Sequence, residues 1–469
     1  MFKNPDEHKK TLLTRIIIAF SALTIILCIV FISLLGAADI DDEINQNGKA
    51  LFGGFTVYQN TIYVVVPGDG YFPVPQADIK SFQPISHAYD DRHMAIDDKN
   101  VYCGNSIIPQ LDPKKVAPIG NNYYSDGTTT CYCDKAVQRN KDLTVRKGLR
   151  NQISHYLFGN DKPQKPQMYR YGLKVLPKSD TPYITMLKNR SITCNGKQVF
   201  YKGEVMPNAN KDSLAAIPLY NHTDTTQSFV YFRDGKHVYH QNKLLPITDN
   251  KALYGINVNP RENGTYLYDP LDGTVYIDSI SFDRKNGPYE VMSKFGSHVN
   301  HTLWYSMKGV YYYDTVKKET RRAGDNPFSN KNFKEIAPLV FSNGIETLYI
   351  DAFERRHNNK TDKSLDKRYT TINRLVGLET QETWSKLGDV YTFGSVWKHG
   401  KQWYYFDGLG ESQLVFNTIY KIDNEETVKT LLNRDGIGSS RTIRQLIREE
   451  KLTEPKYKEL LKATTKYDV

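Results

Sequence analysis

The side chains of this chain that could carry chemistry are few: five cysteines, eleven histidines and some tripeptides that begin with asparagine. Cys28 lies inside an apolar stretch, and the others are Cys103, Cys131, Cys133 and Cys194. Zinc ribbons and thioredoxin-like redox sites need paired thiols in a CxxC spacing, and no such pair occurs. In an oxidising compartment these cysteines would instead form one or two disulfides. The histidines are dispersed. His298 and His301 stand three apart, but in a strand or loop that spacing does not put two imidazoles on one face, so no metal site is expected. The chain contains no GxSxG, HExxH, Walker A or kinase signature. Asn189-Arg-Ser191, Asn221-His-Thr223, Asn263-Gly-Thr265 and Asn300-His-Thr302 match the N-glycosylation sequon. The chemistry points to no catalytic residue, no cofactor and no metal.

The elements around these residues have a clear address. Ile16 to Leu35 is a run of apolar and small uncharged residues, and at 1.5 Å per residue a helix of that length spans about 30 Å, the thickness of a bilayer's hydrocarbon core. Lys3, Lys9, Lys10 and Arg15 precede it; Asp39, Asp41, Asp42 and Glu43 follow it. The positive flank stays in the cytoplasm, which sends the rest of the chain across. The expected organisation is a cytoplasmic stretch over 1–15, a transmembrane helix over 16–35, a linker over 36–50, a β-repeat body over 51–420 and a helical C-terminal segment over 421–469. Gly36-Ala37-Ala38 offers a signal-peptidase cleavage site as the rival reading, although the apolar run exceeds the usual signal core.

Composition fits a body made of strands. Mean hydropathy is −0.56, so most of the 469 residues face water. Tyr is over-used, at 33 against 20 Phe and 4 Trp, beside 31 Gly and 21 Pro. Tyr suits a sheet with one wet face, because the ring packs while the hydroxyl reaches water. The formal charge is +10, but Lys and Arg are scattered, with no run longer than pairs such as Arg355-Arg356. That reads as a solvated basic surface, not a nucleic-acid footprint.

The body repeats itself. Pro75, Gln76, Asp78, Lys80, Pro84 and Ile85 recur at a constant offset as Pro109, Gln110, Asp112, Lys114, Pro118 and Ile119, and Val205 to Ile217 is a third copy. Val101-Tyr-Cys-Gly-Asn-Ser-Ile-Ile-Pro109, Val199-Phe-Tyr-Lys-Gly-Glu-Val-Met-Pro207 and Val238-Tyr-His-Gln-Asn-Lys-Leu-Leu-Pro246 align with one another. Upstream of these sit Asp98-Lys-Asn100, Asn195-Gly-Lys-Gln198 and Asp234-Gly-Lys-His237. Asp-Gly and Asn-Gly supply tight hairpin turns, alternating β-branched and aromatic residues supply strands, and Pro stops the ladder. Such units bury a face only against their neighbours, as in a propeller-like meander or a β-solenoid. The fold class is all-β, made of repeated short antiparallel hairpins, with an N-terminal transmembrane helix and a small helical C-terminus. Lys135 to Phe158 breaks the pattern and suggests an amphipathic helical insertion near 135–158. Helices are expected at Glu425–Leu432, Ser439–Glu450 and Tyr457–Ala463.

Asp98-Lys99-Asn100-Val101-Tyr102-Cys103, followed by Ile107-Ile108-Pro109 and Asp112-Pro113-Lys114, resembles the signature of the bacterial DKNYY repeat family. The resemblance implies a β-repeat protein of the bacterial envelope and carries no activity and no catalytic residue. The sequons are then without consequence. Within the repeats, Cys103 and Cys133 each follow a Tyr, and Cys131 and Cys133 share a strand face. Cys103 is therefore expected to pair with Cys131 or Cys133, with buried free thiols as the other reading. Three functional expectations follow: a membrane-anchored, non-catalytic binding or scaffolding protein with a protein or cell-wall glycan partner; an immunity-type protein neutralising a toxin at the inner membrane; and an envelope hydrolase.

Overall fold

The structure is a computed structural model. It describes residues 40–139 and most of 143–467; residues 1–39 and 155–166 lie outside the description, as do shorter stretches, chiefly 140–142, 221–224, 258–263, 294–299, 357–364, 379–381, 409–416 and 434–439. The expected transmembrane helix at 16–35 lies outside the described residues. Among the described residues no helix is long and apolar enough to cross a membrane.

The described residues form many small antiparallel sheets, and the chain divides into two compact units, residues 1–205 and 206–469. The recurring element is a meander of four strands. In the first unit these are the sheets spanning 49–73, 83–107, 117–175 and 184–206. In the second unit two meanders, 215–248 and 254–281, merge into one eight-stranded sheet because Ala215–Tyr220 pairs in parallel with Tyr254–Asn257. Sheets over 290–324, 334–375 and 384–422 follow.

Each strand alternates as the pleat demands. In Thr61–Val66, Ile62, Val64 and Val66 are buried and their neighbours half-buried. Within each unit, the cores lie between successive sheets, so each sheet is covered by its neighbour. Phe55, Ile62 and Val64 of the first sheet cluster with Ala95 and Tyr102 of the second. Met94, Val101 and Cys103 of the second cluster with Tyr124, Cys131 and Cys133 of the third. In the second unit, Tyr266 and Val275 pack on Trp304 and Tyr311, and Val310 and Tyr312 on Leu348 and Ile350.

Four expectations are corrected. The linker over 36–50 contains a helix, Ile40–Asn47, docked on the first sheet. Asp41, Asp42 and Glu43 occupy its first turn, where carboxylates suit the helix dipole, and Ile44 is buried beneath it. Asp41 Oδ1 accepts the Tyr71 N–H (2.9 Å), and Glu43 Oε2 accepts the Tyr58 hydroxyl (2.9 Å). Gly70, at φ +81°, has no room for a Cβ beside the Asp41 carboxylate. The expected helical insertion begins as strand: Thr130–Arg139 pairs from Cys131 to Arg139 with Gln167–Val175. Helical backbone appears only later, at residues such as Arg146, Lys147 and Gly148.

The C-terminal segment is helical only in part. Glu425–Leu432 and Ser440–Arg448 are helices, the first capped by Asn424, whose side chain accepts the Thr427 N–H (2.9 Å). Tyr457–Lys466 is not a helix but a ten-residue strand, and it joins the sheet of residues 334–375 at the edge of Leu365–Leu375. Finally, many of the tyrosines are buried and do not present hydroxyls to water. Tyr102, Tyr123, Tyr124, Tyr231, Tyr239 and Tyr266 are fully buried. Hydroxyls of Tyr102, Tyr123, Tyr124, Tyr231 and Tyr239 reach backbone carbonyls and carboxylates instead: Tyr123 donates to Ser191 O (3.0 Å) in the next sheet, and Tyr231 to Thr265 O (2.8 Å) and Asp278 O (2.9 Å) in the next meander. A buried hydroxyl needs a partner, and carbonyls at the neighbouring sheet's strand ends supply it.

Candidate functional site

The repeated motif is a place where polar groups converge, and its centre is Asp97. This residue precedes the second-to-third-strand hairpin of the second sheet and is 4% exposed. Its Oδ1 accepts the N–H groups of Lys99 (2.8 Å) and Asn100 (2.7 Å), which closes the turn. Its Oδ2 accepts the Tyr102 hydroxyl (2.7 Å) and the Asp78 N–H (3.1 Å). Asp78 belongs to the crossover that brings the chain from the first sheet to the second. One carboxylate thus fixes a hairpin, a core tyrosine and the incoming crossover.

The same arrangement recurs. Asp126 Oδ1 accepts from Thr128 (2.8 Å) and Thr129 (2.7 Å), and its Oδ2 from the crossover residue Asp112 (3.0 Å). Asp234 Oδ1 accepts from Lys236 (3.0 Å) and His237 (2.6 Å), and its Oδ2 from Asn210 (3.0 Å) and the Tyr239 hydroxyl (3.2 Å). Asn195 and Asn343 hold their turns with the amide oxygen alone. Five residues after each anchor stands a buried side chain: Tyr102, Cys131, Phe200, Tyr239 and Leu348. Tyr is kept where the anchor is a carboxylate able to receive its hydroxyl, except after Asp126, where Cys131 takes the place. The motif's first visible aspartate, Asp98, is exposed; the working residue is its neighbour Asp97. The signal was available, since the alignment on Asn100, Gln198 and His237 puts Asp97 in register with Asn195 and Asp234.

These contacts set the ionisation of the anchors. Burial alone would raise Asp97, but the Tyr102 hydroxyl and the N–H groups of Lys99, Asp78 and Asn100 outweigh it and hold the carboxyl below its ordinary value. Asp126 is lowered in the same way. At Asp234, burial is likewise outweighed, here by hydrogen bonds from His237, Asn210 and Lys236, and the value falls from 3.8 to about 2. A carboxyl held low in the fold binds its proton more weakly there than in the unfolded chain. Its contribution is complete above the unfolded pKa and is lost as pH falls through the folded value. Stability should therefore decline between about pH 4 and pH 2. Asp234→Asn should flatten that decline, as followed by acid titration of the fold by circular dichroism. Asp97→Ala should cost about 3 kcal/mol at neutral pH, from the loss of charge-assisted bonds to buried partners.

The cysteines lie in the same part of the first unit. The structure joins Cys103 and Cys133 in a disulfide, with Cα atoms 6.2 Å apart. Both are fully buried, and the bond ties the third strand of one sheet to the third strand of the next. Cys131, on the same strand face as Cys133, and Cys194 are buried free thiols, and burial pushes the Cys131 thiol up to about 12. His93 reinforces the junction, its Nε2 lying 3.2 Å from Cys133 O and its ring stacked on Tyr171.

Two further polar clusters serve the second unit. The sequon Asn300-His-Thr302 is buried. Asn300 Nδ2 donates to Phe353 O and Tyr369 O (3.0 Å each), while His301 lies 3.0 Å from both the Thr370 and the Thr465 hydroxyl. Burial drives His301 down to about 3, so it is neutral in the fold. Asp351, also buried, accepts the Thr418 N–H (2.6 Å) and the Asn373 amide (2.9 Å), and burial raises it to about 6. Among the described residues no group of His, Cys, Asp or Glu is arranged to hold a metal ion.

Comparison with known proteins finds no match among curated proteins. It finds none among solved structures either. Comparison with protein families matches residues 55–243, the stretch that holds the Asp97, Asp126, Asn195 and Asp234 turns, to the DKNYY family. Over residues 55–243 the chain is similar to the DKNYY family.

Proposed function

We propose that the chain is a non-catalytic binding or scaffolding protein of the bacterial cell envelope. In this reading Ile16 to Leu35 anchors it in the cytoplasmic membrane with the N-terminus inside, and the β-repeat body stands outside the cytoplasm. Within each unit, the meanders form a propeller-like or solenoid series in which each sheet covers its neighbour. The partner is a protein or a cell-wall glycan.

The observation that carries this reading is what the motif's polar residues do. Asp97, Asp126 and Asp234 each direct their oxygens at their own turn and the incoming crossover. His301 and Asp351 are likewise engaged in holding strands together. Groups so occupied build a scaffold, and what varies from repeat to repeat is the exposed edge. The Cys103–Cys133 disulfide supports an oxidising compartment for the body. So does the order of charges around residues 16–35.

Affinity capture from solubilised membranes, using the full chain, tests the role. The proposal expects recovery of an envelope protein or of cell-wall glycan. Recovery of a single dominant toxin would replace it with the neutraliser reading.

A further inference from the structure

In the second unit, three successive sheets display a bare apolar side chain at the same turn. The hairpin between the second and third strands carries Leu271 in the meander of 254–281, Met307 in the sheet of 290–324 and Ile345 in the sheet of 334–375. They are 73%, 78% and 71% exposed. The corresponding turns earlier in the chain carry Asp98-Lys99, Gly127-Thr128, Gly196-Lys197 and Gly235-Lys236. Ile345 stands where those turns have a Lys or Thr.

Bonds through the crossovers put the three tips on one edge. The crossover before the sheet of 290–324 touches two of the turns: Tyr289 N–H donates to Gly273 O (3.0 Å), and Lys285 O accepts from Lys308 Nζ. The next crossover also touches two: Asn326 Nδ2 donates to Ser306 O (3.0 Å), and Lys331 pairs with Glu346. Leu271, Met307 and Ile345 therefore follow one another along a single rim, each on its own sheet.

We infer that this rim is a membrane-contact edge that seats its three apolar tips in the interface of an anionic bilayer. Stacked sheets stand about 10 Å apart, so the tips are separate and charged groups lie between them. A protein interface has a contiguous apolar core depleted of charge, which this rim does not offer. A bilayer interface accepts isolated apolar side chains and rewards flanking cations. The rim carries Lys285, Lys308, Arg322 and Lys331 against Asp272, Asp325 and Glu346, with Arg322 paired to Asp325 and Lys331 to Glu346. The inference rests on the reading that the chain resides at a membrane.

The test uses the full chain reconstituted in phosphatidylglycerol/phosphatidylcholine vesicles. Flotation reports the anchor by itself. An environment-sensitive dye on Met307→Cys then reports the rim, with Lys317→Cys, on the turn at the opposite end of the strand, as control. Native wild-type protein treated with the same dye sets the background from its own thiols. A seated tip lies about 5–10 Å into the headgroup boundary. The expected result is a blue shift and strong quenching by shallow nitroxide lipids at 307, with neither at 317. Polar replacement of the other two tips, Leu271→Ser with Ile345→Ser, should weaken both signals. Floating protein whose dye at 307 behaves like that at 317 would overturn the inference while leaving the anchor intact. Protection of 307 in native membranes but not in pure lipid would overturn it in favour of a protein contact.

Discussion

A chain ended at residue 455 is expected to lose the cooperative unfolding of its second unit. The missing strand, Tyr457–Lys466, is distant in sequence from its partner Leu365–Leu375, which it pairs along nearly its whole length. It also closes a core. Leu461 and Ala463 are buried in the cluster that holds Val310, Leu348, Ile350 and Ile372. Thr464 O accepts the Tyr312 hydroxyl (2.8 Å), and the Thr465 hydroxyl meets His301 Nε2 (3.0 Å). Truncation strips one edge of the sheet, opens the apolar cluster and orphans two buried polar groups at once. Leu461→Ala alone should cost about 2–5 kcal/mol, and Thr465→Val about 1–3 kcal/mol for the unsatisfied imidazole. A domain's whole stability is about 5–15 kcal/mol, so loss of the strand is comparable with the total. Thermal unfolding with limited proteolysis checks this; a truncated chain that melts within a few degrees of the intact one contradicts it. The site is also acid-sensitive. Unfolded His301 takes up a proton near pH 6.5 that the folded site refuses until about pH 3, so the strand's hold weakens as pH falls below about 6.5. Asp351, raised to about 6, works the other way between about pH 6 and pH 4.

Cys103→Ser is expected to destabilise the first unit by about 3–4 kcal/mol, the chain-entropy value for a loop of this size. The two cysteines are 30 residues apart, and the bond crosses from one sheet to the next inside a closed core. For a unit of roughly 200 residues, that loss corresponds to a fall in Tm of roughly 7–14 °C. Reductant should act slowly on the native protein, because both sulfurs are buried. Peptide mapping of protein prepared without reductant should join the peptides of Cys103 and Cys133. Cys131 should react with alkylating reagent only after denaturation. Free thiols at 103 and 133 in that preparation, or an unchanged Tm for Cys103→Ser, would contradict the assignment.

Much of the fold is local and was therefore legible. Asp-Gly and Asn-Gly turns, alternating apolar residues and terminal prolines identify the hairpins, because each is decided within a few residues. The failures are long-range. Tyr457 to Ala463 has helical spacing in Leu460, Leu461 and Ala463, and only an open edge at Leu365–Leu375 makes it a strand. Lys135 to Arg139 looks like the start of a basic helix until Gln167–Val175 arrives to pair with it. The helix over Ile40–Asn47 was hidden because its acidic first turn reads equally well as a solvated linker. The candidate site was visible as a motif but off by one residue. Asp98 draws the eye as part of the signature, whereas burial and hydrogen bonding select Asp97. Tyrosine enrichment was a true sign of sheet, but the destination of each hydroxyl depends on which carbonyl a neighbouring sheet presents.

We propose that the body stands outside the cytoplasm, held by residues 16–35. Reporter fusions after Val469 decide the topology. A reporter active only after export should be active there, in a membrane fraction, and a reporter active only in the cytoplasm should be silent. Activity of the cytoplasm-only reporter at that position would contradict the claim.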